Sequence, residues 1–150
     1  MRVSPVRQRV TLPALWLWVS FGATNALARD PAPCGDGAQN FWHVFRAAAL
    51  KGQTNTLADL SAFPFEVRGT LDEEAPRALT RKEFLERWPS LLSSDPGVSA
   101  KPTSMRAFIR THERLAPSFC ETGGWQFRVG NWVFQNRSDS WRFVQAFVED

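Results

Sequence analysis

The stretch Gly124–Val148, GWQFRVGNWVFQNRSDSWRFVQAFV, decides the fold. Trp125, Phe127 and Val129 alternate with Gln126 and Arg128, the period of a strand with one buried face. Trp132 and Phe134 continue the alternation, Asn136–Ser140 supply a turn, and a last strand runs from Trp141 to Val148. Strict alternation there places Trp141, Phe143, Gln145 and Phe147 on one face and Arg142, Val144, Ala146 and Val148 on the other. An antiparallel meander carrying three Trp and four Phe needs a cover, and the chain upstream must supply it. No catalytic or ligand signature lies on the meander itself.

Upstream, Phe41–Lys51 places Phe41, Phe45 and Ala48 at i, i+4 and i+7 with Val44 beside them, an amphipathic helix closed by Gly52. Thr54 or Asn55 can cap a second short helix carrying Leu57, Ala58 and Leu60. Phe63-Pro64 ends it, because proline disfavours helical backbone in the residue before it. Phe65–Leu71 reads as a strand, and Asp72–Pro76 as an acidic turn. Thr80-Arg81-Lys82-Glu83 is a capping box. The helix it opens lines up Phe84, Leu85, Trp88, Leu91 and Leu92, with a kink or restart expected at Pro89. After a loop, Met105, Phe108 and Ile109 suggest a short helix behind Thr103-Ser104, with a strand as the alternative. Helices first and a meander last give an α+β architecture, helices packed on one curved antiparallel sheet.

Residues 1–28 read as a signal peptide. Arg2, Arg7 and Arg9 form a positive start, Val10–Phe21 an apolar run, and Ala26-Leu27-Ala28 a small-residue cleavage site. The run is too short, and too interrupted by Pro13, to span the ~30 Å of a bilayer core. Residues 29–40 form an irregular segment and 41–150 a single domain. The chain has 150 residues, with 18 Lys+Arg against 15 Asp+Glu. The leader takes three arginines and no acid with it, so the mature charge is near zero and the pI of 9.4 belongs mainly to the leader. A nucleic-acid partner calls for a basic face, which this balance does not suggest. Nothing is expected to hold the mature chain at a membrane, and the expected location is periplasmic or secreted. Cys34 and Cys120 both survive cleavage, and two thiols in an exported chain read as a disulfide. The competing metal reading lacks a CxxC, and two histidines without acids at ligand spacing add nothing to it. No metal or other cofactor is expected.

The element order, together with Phe41-Trp42-x-x-Phe45-Arg46, the Gly52 after it, Phe63-Pro64-Phe65-x-x-x-Gly69 and the closing Trp141-Arg142-Phe143, resembles the nuclear transport factor 2-like superfamily. The likeness covers about Phe41–Val148 and is strongest to small exported bacterial members of unknown role. It implies a cone, a sheet wrapped around the long helix, with a pocket at its mouth. Candidate pocket residues are Trp42, His43, Phe45, Asp59, Trp88, Phe127 and Gln145. Some relatives, such as ketosteroid isomerase and scytalone dehydratase, use pocket acids or histidines; others bind ligands, dimerise or serve as accessory domains, so a homodimer through the sheet is one implied partner. No catalytic motif matches residue by residue, and none is carried over.

His43, three positions from Arg46, has the chemistry of an acid/base but lies off the Phe41/Phe45 stripe. His112 sits among charges and is placed to end the short helix. Asp59 and Glu66 form an acid/base pair only if both turn inward, and Glu66 alternates outward beside Arg68. No nucleophile elbow is present. Asn136-Arg137-Ser138 fits a glycosylation acceptor and, more simply, a hairpin turn. The aromatic excess is either a core or an apolar site. The expected function is an exported non-catalytic domain binding a small apolar ligand or a protein partner. The alternatives are a small lyase, isomerase or hydrolase with His43 or Asp59 as base, and a periplasmic immunity or inhibitor protein.

Overall fold

The computed structural model describes residues 34–69, 75–97 and 103–148. The leader, Leu71 and the acidic Asp72–Glu74 lie outside the described residues. Four helices pack on one five-stranded sheet of order β2-β1-β5-β4-β3, an α+β architecture. The elements are α1 (Ala38–Lys51), α2 (Thr54–Asp59), β1 (Ser61–Arg68), β2 (Arg77–Leu79), α3 (Arg81–Ser93), α4 (Met105–Thr111), β3 (Gln126–Val129), β4 (Trp132–Arg137) and β5 (Ser140–Phe147). The sheet is mixed, not wholly antiparallel as the meander suggested. β3, β4 and β5 run antiparallel in turn, but β5 lies parallel to β1, because the intervening helices carry the chain across before it returns.

The first helix begins at Ala38, three residues before the expected Phe41, and Gly52 closes it in left-handed backbone with its N–H on the carbonyls of Ala48 and Ala49. Its buried residues are Ala38, Trp42, Phe45, Ala48 and Ala49, so Phe45 and Ala48 face inward as expected while Trp42 takes the buried place expected of Phe41. Val44 is left 46% exposed. α2 carries the expected Leu57 and Ala58 inward, but Gln53 precedes it without a side-chain cap, and neither Thr54 nor Asn55 caps it. β1 starts at Ser61, before the expected Phe65, and runs through a cis Phe63–Pro64 bond. The brief β2 was not legible beforehand; Leu79 buries opposite Phe65.

The capping box at Thr80 forms as read, its hydroxyl accepting from the Glu83 amide while the Glu83 carboxylate accepts the Thr80 N–H at 2.8 Å. α3 continues through Pro89 to Ser93 as one helix, since Phe84, Trp88, Leu91 and Leu92 bury along one side and Pro89 faces solvent. α4 is capped by Ser104, accepting from the Ala107 amide, and His112 follows its last turn.

A bulge decides the last strand. Val133 pairs with Gln145 while the next residue, Phe134, pairs with Phe143, so Val144 is the extra residue on β5. Trp141 and Phe143 face the helices as expected, but beyond the bulge Ala146 and Val148 take their place in the core. Gln145 and Phe147 turn to the outer face, half-buried, and Arg128 stacks there on the Phe147 ring at 4.5 Å. The core between helices and sheet is aromatic: Trp42, Phe45, Phe65, Phe84, Phe127, Trp132, Phe134 and Phe143 are all at 0% exposure.

Candidate functional site

Cys34 and Cys120 are joined by a disulfide across 86 positions, tying the segment before α1 to the residue that bridges β3 at Phe127. The chain turns tightly there: Gly35 has φ +84°, and a Cβ on it would lie 2.6 Å from the Gly124 carbonyl oxygen, so only glycine fits. The Trp141 indole donates to the Asp36 carbonyl at 3.0 Å, holding the same segment against β5.

The seven candidate pocket residues separate into interior and surface. Trp42, Phe45, Trp88 and Phe127 are core residues, at most 2% exposed, and their rings lie edge-on or tilted against Phe134, Trp132 or Trp141. They fill the interior, and none of them lines the depressions on the helical side described below. His43 is exposed on the outer side of α1. Asp59 is exposed at the end of α2 and ion-paired to Arg81 at 2.7 Å. Gln145 is half-buried on the opposite face of the sheet, beside Glu66 of β1. Glu66 in turn pairs with Arg68 at 3.2 Å, as outward alternation required.

The groove outside α1 is built by a clamp that periodicity alone did not reveal. Gln39, Trp42 and Arg46, at i, i+3 and i+7 of α1, reach the end of α4 and the segment after it. Arg46 donates to the carbonyls of Ile109 and Arg110, both at 2.7 Å, and Trp42 donates to that of His112 at 2.9 Å. Gln39 donates to the Glu113 carbonyl and accepts the Leu115 N–H at 2.8 Å. A cation at carbonyls of a helix C-terminus is well placed electrostatically. The Phe41-Trp42-x-x-Phe45-Arg46 run was the available signal, but nothing in it names the acceptors. The His112 ring stacks on Phe108, centroids 3.9 Å apart.

Two adjoining depressions, about 450 and about 510 Å³, flank this clamp and share Gln39 and His43; Glu113 and Arg114 complete one, Gly37 and Asn40 the other. A third, about 230 Å³, lies between α3 and α4, lined by Pro89, Leu92, Ser93, Ser104 and Arg106. Among the described residues no helix is long and apolar enough to cross a membrane, and no group of three or more His, Cys, Asp or Glu is placed to hold a metal ion. The fold and disulfide define a stapled α+β domain with a buried aromatic interior and open grooves on its helical side. No family model, curated protein or solved structure matches the chain.

Proposed function

We propose that this chain is an exported, non-catalytic binding domain of the nuclear transport factor 2-like kind, and that it engages a protein partner with its surface. The observation that carries this reading is the filled interior. Rings at 0% exposure occupy the space where an apolar ligand would sit, and neither candidate base is desolvated, since His43 and Asp59 are both exposed. Export is supported by the signal-like residues 1–28 and by the disulfide, a bond that persists in oxidising compartments.

Native mass spectrometry of the chain taken gently from the exported fraction tests both parts. The expected species begins at Arg29 and travels with a protein. Retention of one apolar molecule of constant mass by a partner-free chain would overturn the surface reading. An intact Met1 found in membrane fractions would overturn export.

A further inference from the structure

Arginine pairing over the described residues is uneven. Arg46 and Arg142 donate to backbone carbonyls, and Arg68, Arg77 and Arg81 pair with carboxylates. Arg128 lies over the Phe147 ring, Arg137 donates to Gln135, and Arg87 is engaged as well. The three arginine side chains with no partner among the described residues are Arg106, Arg110 and Arg114, all exposed and spaced i, i+4, i+8. Arg106 and Arg110 share one face of α4. Arg106 lines the depression between α3 and α4, and Arg114 lines the one beside His43, so each of these grooves carries one of the three. In a mature chain of near-zero net charge, three such side chains make a local positive field, with Glu113 as the acid beside Arg114 among the described residues.

We propose that α4 and the segment after it form a docking site for an extended acidic segment of a partner protein, gripped by Arg106, Arg110 and Arg114. The proposal rests on the surface-partner reading above and names the partner's chemistry. Guanidinium groups take carboxylates in a two-pronged hydrogen-bonded pair, and the three follow one another along the chain from α4 into the segment after it, so successive carboxylates of an extended peptide could each meet one. Ser93 and Ser104 at one end and Asn40 and His43 at the other offer hydrogen-bonding groups to a peptide backbone. Glu113 sits in the second groove. A polyphosphate, charged at every unit, meets repulsion there, whereas a peptide can place an uncharged residue opposite it. The exposed large apolar side chains among the described residues are Val44 and Trp125, neither on α4, so this face has nothing to insert into a bilayer.

The test titrates the oxidised mature chain into a fluorescein-labelled peptide alternating glutamate and glycine, at low and at physiological salt. Length-matched oligothymidylate and phosphatidylglycerol vesicles serve as competing probes. Arg106→Ser/Arg110→Ser/Arg114→Ser is compared with Arg68→Ser/Arg77→Ser/Arg137→Ser, which removes the same charge elsewhere; near-UV circular dichroism verifies that both fold. Saturable peptide binding that weakens with salt is expected, with a loss of about tenfold in the α4 triple and little change in the control. No saturable binding at low salt, equal losses in the two triples, or tighter binding to oligothymidylate or vesicles would overturn the site. A chain that fails here yet still travels with a protein in the native spectrum loses the α4 site and keeps the surface reading.

Discussion

Asn131 shows how much one side chain can organise. It is 5% exposed at the β3–β4 turn, and its Nδ2 lies within hydrogen-bond distance of the Ser94 hydroxyl, the Asp95 carbonyl and, at 2.7 Å, the Phe147 carbonyl. One amide thus joins the hairpin to the end of α3 and the end of β5. Asn131→Ala is expected to cost about 1–3 kcal/mol in urea melts, because buried acceptors lose their donor. Asn131→Asp should cost more at neutral pH and recover part of the loss on acidification, since its carboxylate faces two carbonyl oxygens that can only accept. An Asp variant as stable as wild type at neutral pH would refute this role. Glu83 offers a second residue-scale test. Hydrogen bonds from the Thr80 backbone and then its hydroxyl, with Arg77 adding a smaller pull, hold the Glu83 carboxyl below the ordinary carboxylate range. A depressed folded pKa contributes stability above the unfolded value and loses it as pH falls through the folded one. Glu83→Gln should therefore be less stable than wild type at neutral pH, with the gap closing in acid. A gap that stayed constant with pH would contradict the linkage.

At the scale of elements, the sequence was most readable where local rules act alone. The Thr80 box, the Gly52 stop, the Ser104 start of α4 and the Trp132/Phe134 alternation all depend on residues within one turn or one strand, and all stand as read. What eluded the sequence depends on partners far along the chain. The burial of Trp42 in the place expected of Phe41 follows from indole and guanidinium donors meeting α4 carbonyls more than sixty residues away. The three-residue β2 exists because β1 offers it an edge, and the bulge at Val144 has no mark in the alternation it interrupts. Of the candidate site, the four aromatic members lie in the core, while the arginines without a partner among the described residues were visible in sequence only as charges near His112. The bulge makes a sharp comparison. Trp141→Ala, at 6% exposure and with its indole bound to Asp36, should cost about 3–5 kcal/mol. Phe147→Ala, on the outer face, should cost well under half of that, although strict alternation gives the two residues the same face. Equal losses in denaturant melts would mean that the strand runs unbulged and Phe147 is in the core.

Over the whole molecule, two features hold helices and sheet as one body: the aromatic interior and the Cys34–Cys120 staple. Closing so long a loop restrains the unfolded chain by about 4–5 kcal/mol on the chain-entropy account, so Cys34→Ser/Cys120→Ser should fall by up to that amount. Thiol labelling of the unreduced, denatured protein should find no reactive cysteine, and two reactive thiols would break the account. The central claim is that the interior is closed and function lies outside it. In the chain beginning at Arg29 the tryptophans are Trp42, Trp88, Trp125, Trp132 and Trp141, and Trp125 alone is largely exposed, at 50% against 6% or less for the rest. Acrylamide quenching of Trp125→Phe is the most direct measurement. The account predicts blue-shifted emission that acrylamide barely quenches; emission still quenched as strongly as in wild type would show an interior open to small molecules and contradict it.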